Sequence, residues 1–196
     1  MLFRQSLYHD NLNQYKMNYI ILDLEATCWE DRSIKRRSEI IEIGAVKINE
    51  EKEIVDEFCA FIQPSLHPEL SEFCTELTTI TQEDVDGAET FERVIRNFWE
   101  WINLDEDYLL GSWGMYDRNQ FRKDCELHEL STEWLRRHIS LKHQYTKIKN
   151  MKRHAGMKGA LWMEGIELQG THHRGIDDAR NISKIFLKLF NEWSKN

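Results

Sequence analysis

The chain has 196 residues, of which 41% are hydrophobic and 31% charged, and its formal net charge is −8. A chain of that size and composition buries one sizeable core and is that of an ordinary globular protein. No apolar run approaches the length of a membrane span and the polar amino terminus lacks a signal-peptide core, so no membrane association and a cytoplasmic location are expected.

Residues 19–27, Tyr-Ile-Ile-Leu-Asp-Leu-Glu-Ala-Thr, open the ordered pattern as a strand buried on both faces at its start. Asp23 and Glu25 fall inside it. Side chains alternate along a strand, so the two carboxylates share a side with Cα atoms about 6 to 7 Å apart, close enough to hold hard cations jointly. Two like charges beside a core cost several kcal/mol unless a metal or a cationic group compensates them. The alternative is a pair of acids facing water at a strand end.

A charged segment, 30–38, reads as a loop, followed by strands at 40–48 and 54–62 joined by the polar turn 49–52. Connections this short favour antiparallel pairing. Pro64 and Pro68, the two prolines, open an irregular stretch to about residue 86. Phe91, Val94, Ile95, Phe98, Trp99 and Ile102 have helical spacing, and a strand follows at 108–113. A further helix is expected near Asp117, a strand around 139–141, then helical segments. A final helix starts near Asp177 with the stripe Ile182, Ile185, Phe186, Leu189 and Phe190. No repeat or Pro/Gly/Ser-rich linker divides the chain, so one domain with a mixed sheet flanked by helices is expected.

The four cysteines, Cys28, Cys59, Cys74 and Cys125, lack C-x-x-C spacing and predict reduced, mostly buried thiols. Between Trp134 and Met163 there is no acidic residue, while Arg136, Arg137, Lys142, Lys147, Lys149, Lys152, Arg153 and Lys158 occur there. That segregation makes a local positive field on an acidic protein, interleaved with Tyr145 and Trp162. The alternative is a solvated helix face.

Two further segments could complete a site. Asp117 follows a strand end at a helix start, where an N-cap is the simpler role. Residues 171–180, Thr-His-His-Arg-Gly-Ile-Asp-Asp-Ala-Arg, run from a glycine-hinged loop into the last helix; one aspartate caps it and the other is free, and a histidine there suits a base at neutral pH.

D-x-E in the first strand, an Asp after a middle strand and H-x-x-x-x-D at the last helix closely resemble the DEDDh exonucleases of the DnaQ-like superfamily. The resemblance extends through 23–28 (Asp-Leu-Glu-Ala-Thr-Cys), 39–45 (Glu-Ile-Ile-Glu-Ile-Gly-Ala), 76–85, Ser112-Trp113-Gly114 with Tyr116-Asp117, and 172–179. These stretches look like the Eri-type exoribonucleases and their KapD-like bacterial relatives. The resemblance implies an α/β, RNase H-like fold with a mixed five-stranded sheet, three antiparallel strands first and then parallel ones, flanked by helices. It implies an amino-terminal extension at 1–16 and a single exonuclease domain at 17–196. Asp23, Glu25, Asp117 and Asp178 become the acids for two Mg²⁺ or Mn²⁺ ions and His173 the general base. The family's four-residue separation selects His173 over His172 and Asp178 over Asp177, leaving Asp177 as the helix cap.

The terminal nucleotide is expected near Ala26, Thr27, Leu77 and Thr78, with Trp29 and Tyr116 as candidates for base stacking against the alternative of loop or core packing. The activity implied is 3′-to-5′ hydrolysis of single-stranded nucleic acid, RNA favoured, to nucleoside 5′-monophosphates. Alternatives are a DNA or short-oligonucleotide exonuclease and a non-catalytic regulatory or interaction protein. No protein partner is named by the sequence. One departure stands out: the family often has Gly after the Leu-Thr pair, where this chain has Thr79, which resists positive φ and predicts a differently shaped substrate loop.

Overall fold

The computed structural model describes residues 17–31, 33 and 35–194; the extension expected at 1–16 lies outside them. Three long strands, β1 (Asn18–Ala26), β2 (Ile40–Ile48) and β3 (Ile54–Gln63), are followed by α1 (Glu72–Thr78), α2 (Gln82–Asp86), the short β4 (Glu89–Thr90) and α3 (Phe91–Ile102). Then come β5 (Tyr108–Ser112), α4 (Tyr116–Leu127), β6 (His138–Ser140), α5 (Leu141–Ile148), α6 (Met157–Met163) and α7 (Gly175–Lys188). The sheet order is β4-β3-β2-β1-β5-β6. β1–β2 and β2–β3 are antiparallel, while β5 pairs parallel with β1 and β6 with β5. The expected five strands are present in the expected sense. The sixth, β4, has two residues, too few for an alternation to show in the sequence.

β1 is central, and both of its faces are covered. Tyr19 and Ile21 pack in one core with Leu141, Tyr145, Leu161, Ile182 and Phe186 from α5, α6 and α7. Ile20, Leu22 and Leu24 pack in the other with Val94, Ile95 and Phe98 of α3 and Phe121 of α4. That double burial is why β1 reads as a nearly unbroken apolar run. Each fully buried side chain of this size contributes about 1.5 to 3 kcal/mol.

α7 sits unusually close to the sheet. A Cβ on Gly44 of β2 would lie 2.1 Å from the carbonyl carbon of Gly175 and from the amide nitrogen of Ile176. Gly175 in turn has room for a Cβ only at 3.1 Å from the Asp23 carbonyl. Two glycines therefore let the first turn of α7 rest on the backbones of β1 and β2.

Three expectations need correction. The stretch left irregular to residue 86 contains α1 and α2, too short to show periodicity but marked by their caps. Ser71 Oγ accepts from the Cys74 N–H at 3.0 Å, and Thr81 and Asp84 form a reciprocal capping box. Asp177 is not the cap of α7; Arg174 is the N-cap residue, and Asp177 lies in the first turn, where Oδ2 accepts from the Thr171 N–H at 2.9 Å. Thr79 adopts the left-handed conformation after all (φ 61°, ψ 8°) and ends α1 by donating its N–H to the Thr75 carbonyl at 2.8 Å. The conformation glycine would take is thus kept, at a steric cost of about 1 to 2 kcal/mol. At the other end, α7 stops at Lys188, yet Leu189 and Phe190 remain in the core.

Candidate active site

β1 carries Asp23 and Glu25 on the face of Tyr19 and Ile21, beyond the point where apolar side chains cover it. In the β1–β2 ladder Asp23 faces Gly44 and Glu25 faces Glu42, so the α7 turn that rests on Gly44 arrives beside both acids. Asp178, four residues into α7, completes a group of three. Ligand oxygens of Asp23, Glu25 and Asp178 all lie within 4.8 Å of one another.

Asp117 reaches the same place from β5. The chain leaves that strand at Ser112, turns through Trp113-Gly114-Met115 and enters α4, of which Asp117 is the second residue. Asp117 is therefore inside the helix rather than its N-cap. Its buried Oδ1 accepts from the Leu24 N–H at 3.2 Å, locking α4 to the end of β1. All four acids line one cavity of about 550 Å³ together with His172 and His173.

This cluster is short of positive charge. Burial, then the charges of Asp117, Glu25, Asp178 and Glu42, holds Asp23 well above the usual carboxylate range. Burial and the charges of Asp178, Glu42 and Asp117 push Glu25 up to about 8. Asp117 is also raised by burial, against the lowering effect of bonds from Ser112 and Leu24 and of the Lys142 charge. Among the described residues no protein donor bonds the Asp23 or Glu25 carboxylate. Hard carboxylate oxygens converging without protein donors fit a divalent cation, which would relieve both burial and repulsion.

Both histidines stand at Asp178. His172 Nδ1 is 2.8 Å from Asp178 Oδ2, the His173 N–H donates to that oxygen at 3.1 Å, and the two rings lie 3.9 Å apart. His173 has φ 64°, a left-handed backbone just before the helix, and ligand atoms of His172, His173 and Asp178 all lie within 4.8 Å of one another. Burial, then the neighbouring His172, lowers its imidazole, favouring the neutral form that accepts a proton.

Of the nucleotide-binding candidates, the structure brings Ala26, Leu77 and Tyr116 to the cavity. Leu77 is 37% and Tyr116 54% exposed, so both offer apolar surface to a ligand. Thr27, Thr78 and Trp29 are not on its wall. Thr27 Oγ1 accepts from the Glu39 N–H at 2.9 Å, and Thr78 Oγ1 donates to the Cys74 carbonyl at 2.8 Å. Trp29 packs edge-on against His67 and beneath the Arg36 guanidinium, so the loop-packing alternative describes it.

Residues that sequence reasoning assigned no individual role also shape the site. Glu42 is fully buried and accepts from Arg174 Nε at 3.2 Å and the Gly175 N–H at 2.9 Å, pinning the loop that presents His173. Glu39 accepts from Ser65, Leu66 and His67 backbone N–H groups and from the Ser65 hydroxyl. Lys142 and Met157 line the cavity, and the Lys142 N–H bonds the Trp113 carbonyl at 3.0 Å. Membership of the acid-free stretch was the signal for Lys142. That stretch is less free than it looked: Arg136 pairs with Glu133, Arg137 with Asp107 and Lys149 with Glu164.

The family model described as Exonuclease matches residues 20–186. The chain belongs to this exonuclease family. It is 30% identical over 202 residues to 3'-5' exoribonuclease 1 of Homo sapiens, covering 98% of this chain and 57% of that protein. It is 32% identical to ERI1 exoribonuclease 2 of Mus musculus, covering 92% of this chain and 30% of that one. The chain thus spans about half or less of these relatives. Among solved structures, the nuclease domain of 3'hExo, a DEDDh family member bound to rAMP, superposes with a TM-score of 0.85 at 29% identity over 93% of this chain and 96% of that one. Cell-death related nuclease 4 (CRN-4) shares the fold, with a TM-score of 0.80 at 22% identity. The α/β sheet described above is the RNase H-like fold of these nucleases.

Proposed function

We propose that this exonuclease-family chain is a divalent-metal-dependent 3′-to-5′ exonuclease that removes nucleoside 5′-monophosphates from single-stranded RNA. The observation that carries this reading is the convergence of Asp23, Glu25, Asp117 and Asp178 with His173 in one cavity, with two of the acids unbonded by any described donor. RNA is favoured because the human relative is named an exoribonuclease and the 3'hExo domain is bound to rAMP.

The four acids would hold two Mg²⁺ or Mn²⁺ ions, which when bound supply activation of water and neutralisation of charge on the scissile phosphodiester. The rest falls to side chains of the chain. His173 removes a proton from the attacking water at its imidazole nitrogen. The new bond joins the water oxygen to phosphorus, the bond from phosphorus to the upstream O3′ breaks, and that oxygen leaves protonated as the new 3′ end. Leu77, Tyr116 and Ala26 hold the terminal nucleoside by apolar contact, and the Glu42–Arg174 pair keeps the histidine loop in place.

A 5′-labelled single-stranded RNA and the matching DNA, incubated with Mn²⁺, test this. The expected result is a ladder shortening from the 3′ end, faster on RNA and absent with Asp23→Asn. Equal shortening by Asp23→Asn would overturn the assignment, and faster shortening of DNA would overturn the RNA preference.

A further inference from the structure

The cavity takes a strand end, so the nucleotides behind that end must leave it over some surface, and one wall points to where. Gly156 and Met157 line the cavity and begin α6. The inner face of this helix, Met157, Ala160 and Leu161, is buried against the core, whereas Lys158, Gly159, Trp162 and Met163 face solvent. Lys158 and Trp162 are four apart and stand on one side, about 6 Å along the helix. Trp162 is 82% exposed, which for the largest apolar side chain means a surface left uncovered by the described residues. A single exposed aromatic is by itself ordinary. Here it continues a lined cavity outward.

Charge supports the same path. Lys152, Arg153 and Lys158 make no ion pair among the described residues. The acid that ends the helix, Glu164, turns inward to Tyr145, Lys149 and Lys188. Lys158 is near enough to His173 for its charge to act on that imidazole. At Gly156 a Cβ would meet nothing within 4 Å, so open space adjoins the wall there.

We propose that the outer face of α6 is the track for the single strand upstream of the cleaved nucleotide, with Lys158 taking a backbone phosphate and Trp162 stacking on a base. The proposal rests on the exonuclease reading, since it is the cavity at one end of the track that gives the strand its direction. Stacking on an aromatic tolerates any base, which suits an enzyme that steps along a chain.

The test measures KM for RNAs from dinucleotide to octanucleotide with the full chain and Mn²⁺, comparing wild type, Trp162→Ala, Trp162→Phe and Lys158→Ala. In parallel, anisotropy of a labelled octanucleotide measures binding. In the wild type KM falls as length increases. Trp162→Ala flattens that dependence and raises the octanucleotide KM and Kd about tenfold, and Trp162→Phe restores most of the loss. Lys158→Ala lowers the salt slope of binding by about 0.7, one phosphate contact on a single strand. Trp162→Ala with the wild-type length dependence and affinity overturns the track. Loss of octanucleotide affinity in Trp162→Ala, alongside a wild type that shortens no RNA, keeps the track and overturns the exonuclease reading instead.

Discussion

Two sets of carboxylates, buried or half-buried, stand on neighbouring strands, and the protein treats them in opposite ways. Glu39 and Glu42 of the second strand and its approach are supplied with donors: four bonds on Glu39, and a guanidinium and a backbone N–H on Glu42. Asp23 and Glu25 of the first strand, directly alongside, receive none from the described residues and repel each other and Asp178. The first set is satisfied by the fold and holds it together. The second is left unsatisfied in a cavity, which is the arrangement a protein keeps only where something from outside completes it.

Substitutions should separate the two sets. Asp178→Asn is expected to abolish RNA shortening while leaving the metal-free protein as stable as wild type or more so, because it removes a charge that repels Asp23 and Glu25 while its amide oxygen still accepts from the His173 N–H; a melt that drops by many degrees would contradict this. His173→Ala should lower kcat by about 10² to 10⁴-fold with the fold intact, read by single-turnover kinetics beside a melting curve. Glu42→Gln should do the reverse of Asp178→Asn: it takes the charged partner from half-buried Arg174 and weakens the acceptor for the Gly175 N–H, and costs about 1 to 3 kcal/mol in a denaturant titration.

Acidity sharpens the contrast. Glu25 is held at about 8 against an ordinary 4.5, so folding favours its protonated form, and Asp23 is raised in the same direction. Their contribution to metal-free stability is full below the ordinary carboxylate value and is lost as pH rises through about 8. With a chelator present, melting temperature should fall between pH 5 and pH 8. Saturating Mn²⁺ should add about 3 to 4 kcal/mol at the upper pH and far less at the lower. An equal metal effect at both pH values would contradict competition between protons and metal.

The smallest expected effect concerns backbone strain. Thr79→Gly relieves a β-branched residue in the left-handed region but adds freedom to the unfolded chain. The balance is a stabilisation of up to about 1 kcal/mol, measurable as a shift in urea midpoint.

Much of this was legible in the sequence for a physical reason. A strand covered on both faces must be apolar throughout, so Asp23 and Glu25 stood out against their neighbours. α3 and α7 bury one face over several turns and show their spacing. What was hidden depends on contacts distant in the chain. Thr27 and Thr78 carry polar side chains next to the site, but their hydroxyls are engaged with Glu39 and Cys74 and do not face the cavity. Trp29 looks like a stacking residue, but its contacts are with His67, edge-on, and with the Arg36 guanidinium. The Glu42–Arg174 pair joins residues 132 apart and leaves no local pattern. Gly44 and Gly175 are ordinary small residues in sequence, and only their crossing shows why α7 can bring Asp178 to β1.

The most direct measurement identifies the first product. An RNA labelled in its 3′-terminal nucleotide is incubated with the full chain while Mn²⁺ is titrated, and the released label is separated chemically. The account predicts a nucleoside 5′-monophosphate as the first labelled product, rising with Mn²⁺ and absent with Asp178→Asn. Release without added metal in the presence of a chelator, a product bearing a 3′-phosphate, or undiminished release by Asp178→Asn would contradict it.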